Sequence, residues 1–116
     1  VRFMYDDFGS NGLSKTFIKN LEAAGVQTAP FYKIKLIALA NRLNYRNHRK
    51  IIAIDGKTSF VGGINISDKY RNDSLGNPDL FWRDTHLMLY GPATAHLQYL
   101  FLCYWNFCSK YGLSQF

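Results

Sequence analysis

The chain is poor in the residues that staple a fold or span a membrane. Only two cysteines occur among its 116 residues. Cys103 and Cys108 stand five apart, on different sides of any helix, and so out of reach of an intrahelical disulfide. A disulfide-held scaffold is excluded, and both thiols read as buried packing groups in a reducing compartment. No group of Cys, His and carboxylates has metal-ligand spacing, so no metal site is expected, and no cofactor is assigned. No apolar run reaches the roughly 18 residues of a membrane span. A secretory leader and an internal repeat are also missing. Val1 opens directly in a strand pattern, which points to a piece of a longer protein. Any membrane attachment would then belong to the rest of that protein. Acidic charge is scarce, with 8 Asp and Glu against 14 Lys and Arg, a net of +6. Much of the excess lies between Lys33 and Lys57. It suits an anionic partner: phospholipid headgroups, nucleic acid or another phosphodiester.

What is abundant is aromatic: nine Phe, eight Tyr and two Trp. The length suits one small domain over residues 1–116, with a core of its own. Val1 to Tyr5 reads as a buried strand, ended by Asp6-Asp7 and the loop Gly9 to Gly12. Leu13, Phe17, Leu21 and Ala24 predict a helix that Gly25 stops. Val26 to Ala29 is a second strand, parallel to the first through a βαβ crossover. Asp6 and Asp7 sit at a strand's carboxyl end, a common place for sites, but capping or loop support is the favoured reading. Pro30 to Tyr45 is either a short amphipathic helix or a loop over the site. Ser67 to Leu80 is an exposed loop. Phe81 to Tyr90 alternates as another strand of the sheet. Gly91-Pro92 opens a helix that runs to about Tyr111 and stops at Gly112. Leu97, Leu100, Phe101, Tyr104, Cys108 and Tyr111 form its apolar stripe, and more apolar residues cover much of the rest. Such a helix is buried or packs on a neighbour.

The stretch Asn47 to Asn65 carries the chemistry. Ile51 to Ile54 and Ser59 to Val61 flank Asp55-Gly56, a strand, tight turn and strand. Alternation places His48 and Lys50 on one face of a buried hairpin. Imidazole is a nucleophile and a proton carrier near neutrality, and lysine adds a fixed positive charge with several donors. Asn65 offers an amide to an anion, and Gly62-Gly63 lets backbone pass close to a bound group. An attacking atom with donors for non-bridging oxygens is what phosphoryl transfer requires. The plainer reading is a surface hairpin with a basic edge. A catalytic imidazole also needs a carboxylate to fix its tautomer, and Asp84, beside Trp82, is the candidate. Asp55 belongs to the turn and reads as structural. His86 is taken as a strand residue and His96 as a helix-surface residue.

His48-x-Lys50, four residues, Asp55, six residues, Gly62-Gly63-x-Asn65: this pattern resembles the signature of the phospholipase D superfamily. Gly63 stands where many members have serine, which removes one hydroxyl donor. Tyr5 to Ser10, Asn44 to Lys50, and Trp82 to His86 followed by Gly91-Pro92-Ala93 are similar to the first catalytic half of bacterial cardiolipin synthases. The resemblance implies an α/β sandwich with a central mixed sheet flanked by helices, one half of a two-half enzyme. It implies attack by His48 on phosphorus, a phosphohistidine, and a carboxylate at Asp84 holding the ring. It implies phosphatidylglycerol as donor and acceptor, with no metal. The second half-site would come from the same longer chain or from a homodimer mate. One alternative is a nuclease of the same superfamily, acting on nucleic acid as a homodimer. Another is a silent interaction domain that keeps the hairpin for its fold.

Overall fold

The opening periodicity does form a βαβ unit. In a computed structural model of the protein, residues 1–31, 47–73 and 79–111 are described. Of the Pro30 to Tyr45 segment, Pro30 and Phe31 belong to the second strand rather than to a helix or loop, and from position 32 onward it lies outside the described residues. So do Arg46, residues 74–78 of the expected loop, and Gly112. The chain divides into two compact units, Val1–His48 with Leu100–Phe116, and Arg49–Tyr99.

In the first unit, β1 (Arg2–Asp6) and β2 (Gln27–Phe31) pair in parallel, from Arg2 opposite Gln27 to Asp6 opposite Phe31. Between them runs α1 (Lys15–Ala23). It starts two residues later than the apolar spacing predicts because Ser14 caps it, its Oγ accepting the Phe17 N–H at 3.0 Å. It stops where expected. Gly25 turns left-handed at φ 84, its N–H bonds the Glu22 carbonyl, and the Val26 N–H reaches back to Leu21, each at 3.0 Å. That pair of bonds satisfies the last carbonyls of the helix. Ala29 and Phe31 are buried on β2. Phe31 meets Tyr104 edge to face, with ring centroids 5.5 Å apart.

The second unit is an antiparallel three-stranded sheet in the order β3 (Lys50–Ile54), β4 (Thr58–Gly62), β5 (His86–Tyr90). The tight turn between β3 and β4 has φ 50 at Asp55 and 64 at Gly56, and the Lys57 N–H bonds the Ile54 carbonyl at 3.0 Å. Two left-handed central residues match a hairpin's twist, which Asp and Gly supply at least cost. The final helix, α2 (Pro92–Cys108), begins after Gly91 as expected. Its Thr94 is fully buried. The Thr94 hydroxyl lies 3.1 Å from that of Ser59, also fully buried, and reaches the carbonyls of Leu89 and Lys57. This polar knot covers the sheet face that carries Ser59.

Several further expectations change. The hairpin face shared by Lys50, Ile52 and Ile54 is not buried: Ile52 is 57% exposed and Met88, on the same face, 66%. The first turns of α2 cover the opposite face instead. The last strand is only His86–Tyr90, because its partner β4 ends at Gly62, opposite His86. Residues 81–85 have no ladder, and an asparagine side chain replaces it: Asn72 Oδ1 accepts the Trp82 N–H at 2.8 Å and Asn72 Nδ2 donates to the Trp82 carbonyl at 2.7 Å. α2 ends at Cys108 rather than Tyr111. Cys103 is exposed rather than packed, since it lies across the helix from the buried Trp105. Trp105, absent from the expected stripe, centres the first unit, stacked with Phe101 and Tyr111 under the Arg2 guanidinium. Among the described residues, no helix is long and apolar enough to cross a membrane.

Candidate functional site

The site is built on the open end of the hairpin. Lys50 begins β3 and pairs across the ladder with Gly62, which pairs in turn with His86. Residues directly opposite in a sheet share a face. Lys50, Gly62 and His86 thus form one row across the three strands. Gly62 has no side chain to separate the other two. A Cβ at Gly62 would fall 2.5 Å from the His86 Cγ, and closer still to its Nδ1 and Cε1. The imidazole therefore lies over the central strand. At the next residue the same holds for a carboxylate: a Cβ on Gly63 would come 2.9 and 3.0 Å from the two Asp84 oxygens. The glycine pair thus makes room for two side chains from the segment entering β5. One of those oxygens, Asp84 Oδ1, accepts the Thr85 N–H at 2.6 Å.

Asn65 lies two residues beyond the glycine pair. Its Nδ2 donates to the Tyr70 hydroxyl at 3.1 Å. That hydrogen bond, together with Lys69 and the charge of Lys50, lowers the Tyr70 phenol below its ordinary range. Tyr70 ends a short 3₁₀ turn, Asp68–Tyr70, and meets Trp82 edge to face at 4.8 Å. Arg71, between Tyr70 and the Asn72 clamp, pairs with Asp73.

His48 precedes the ladder, two residues ahead of Lys50, and is exposed. Its neighbour Asn47 donates its backbone N–H to Asp6 Oδ2 at 3.1 Å, while Asp6 Oδ1 takes the Gly9 N–H at 2.5 Å. Asp6 is a loop support, and the loop it supports leads to His48. Asp55 is at the far end of β3, about 16 Å from Lys50 at the usual rise of a strand. It stands apart from Lys50, which pairs with Gly62, and from Asp84, which lies against Gly63.

Two residues of this cluster escaped sequence reasoning. Tyr70 carries no spacing signal, since it reaches Asn65 through a turn inside a loop. His86 was placed on its strand, but its row with Lys50 depends on the register of three strands.

No family model matches the chain, and no solved structure matches it. Curated relatives do. It is 50% identical over 109 residues to a cardiolipin synthase of Geobacillus kaustophilus, covering 92% of this chain and 21% of that protein. It is 50% identical over 107 residues to cardiolipin synthase 2 of Bacillus cereus, covering 90% of this chain and 20% of that protein. With the major cardiolipin synthase ClsA of Bacillus subtilis the identity is 46% over 113 residues, 96% of this chain and 23% of the relative. The chain spans about a fifth of the length of the curated relatives it matches.

Proposed function

We propose that this chain, a homologue of one segment of the bacterial cardiolipin synthases, supplies half of a phosphatidyl-transferase site. A His48 nitrogen attacks the phosphorus of one phosphatidylglycerol. The bond from phosphorus to the terminal glycerol oxygen breaks, and a histidine of the other half-site gives that oxygen a proton. Glycerol leaves and a phosphohistidine remains. A hydroxyl on the glycerol headgroup of a second phosphatidylglycerol then loses its proton to the same histidine and attacks phosphorus. His48 is released and the product is cardiolipin. Splitting the exchange in two lets one site hold the phosphoryl group while the alcohols change places. Lys50 and Asn65 meet the charge on the non-bridging oxygens. Asp84 is the carboxylate assigned to hold the His48 ring in one tautomer.

The observation that carries this reading is the pairing of Lys50 with Gly62 and the packing of Asp84 against Gly63, in a chain half identical to cardiolipin synthases over most of its length. The second half-site comes from elsewhere in the same protein or from a two-fold mate. The test gives the full-length protein phosphatidylglycerol vesicles and, separately, single-stranded DNA, beside a His48→Ala control. Cardiolipin and glycerol appearing together, and only with His48 present, is the expected result. DNA cleavage without lipid turnover would overturn it. If the chain supplies half a site, the 116 residues alone turn over only as a dimer, so activity should rise faster than linearly with their concentration.

A further inference from the structure

His86 has no part in the scheme above, yet it is built into the site. It shares the cross-strand row of Lys50 and Gly62, on the face that the helix leaves open. A strand histidine turned simply to solvent would leave room for a Cβ on its neighbour. Here the ring covers the place where that Cβ would be. One strand spacing, about 4.8 Å, separates Gly62 from the strand that carries Lys50. An imidazole over the middle strand and an ammonium on the next one face the same space. The ring is exposed, so its N–H is open to a ligand. Asp84, two residues earlier, covers Gly63 in the same manner. The glycine pair therefore leaves space for an imidazole at Gly62 and for a carboxylate at Gly63.

We infer that His86 is a substrate-contacting residue, whose imidazole N–H donates to a non-bridging oxygen of the phosphodiester that Lys50 also holds. Gly62 is glycine because the ring needs that space. The identity of the diester rests on the proposed lipid reaction; the anion contact does not. Lys50 approaches from one edge of the sheet and His86 from the other, so the two fix the phosphoryl group's orientation as well as its charge.

The test uses the full-length protein and two variants. His86→Phe keeps a ring over Gly62 but offers no N–H, and His86→Gln keeps a donor of similar reach. Inorganic phosphate binding, followed by phosphorus NMR, is read beside turnover of phosphatidylglycerol vesicles. A hydrogen bond to a charged group is worth enough that losing it weakens binding by about tenfold. His86→Phe should weaken phosphate by about that factor. It should raise KM for the lipid similarly, with kcat held within about twofold, as for a contact made alike in ground and transition states. His86→Gln should recover much of both. The inference falls if His86→Phe binds phosphate as the parent protein does. It also falls if His86→Gln is no better than His86→Phe, which would mark the ring as packing only. Loss of phosphate affinity in a protein that makes no cardiolipin would uphold the contact and remove only the lipid reading.

Discussion

Gly62→Ala is the sharpest perturbation that the sheet offers. The new methyl group would meet His86 at Cγ, Nδ1 and Cε1 together. Because even Cγ is struck, turning the ring about its outer bond gives no relief, and the whole side chain must leave its rotamer. An off-rotamer side chain costs about 0.5–1.5 kcal/mol, and forced overpacking about 1–3 kcal/mol. Against this, alanine loses less backbone freedom than glycine in a strand, a gain of about 0.5–1 kcal/mol. The net expectation is a loss of about 0.5–2 kcal/mol with His86 present. In a His86→Ala background only the gain is left, so the same change should stabilise by about 0.5–1 kcal/mol. The coupling between the two sites is then about 1–3 kcal/mol, within the range of residues in contact. Denaturant unfolding of the chain and its three variants measures it directly. A cycle that closes within about 0.5 kcal/mol would refute the packing of ring on glycine, and with it the reason given for Gly62.

Thr94→Val keeps shape but removes a buried hydroxyl from Ser59, Leu89 and Lys57. It should cost about 1–3 kcal/mol in the same unfolding assay. Asp6→Asn leaves one carboxamide oxygen for two N–H donors, those of Gly9 and Asn47. A stability loss of about 1–2 kcal/mol is expected, with a several-fold drop in kcat because Asn47 adjoins His48. Asn65→Ala should move the Tyr70 titration up, toward the ordinary phenol value, since the amide bond is the first cause of its lowering. The sign follows from the phenolate. The folded chain gives up this proton at lower pH than the unfolded chain, so the stabilisation is present at high pH and fades as pH falls through the folded value. Tyrosinate absorbance against pH compares the two proteins, and coincident curves would refute the contact.

Local order was open to inspection in the linear chain. The βαβ opening showed in its periodicity, while the Gly25 stop of α1, the turn at Asp55-Gly56 and the start of α2 at Gly91-Pro92 each follow from neighbours within a few residues. There, φ preferences and capping groups act at short range. Residue chemistry also singled out His48, Lys50, Asn65 and Asp84 as candidates, and the resemblance to a known signature joined them into one proposed site. Three matters stayed hidden: which face of the hairpin α2 covers, where the last strand begins, and what fills the space above the glycine pair. Each depends on strand register and on a helix docking through Ser59 and Thr94, contacts separated by dozens of positions. A side chain's alternation shows only that it has a face. Pairing decides what shares that face, and so it took the folded sheet to set the imidazole of His86 in line with the ammonium of Lys50.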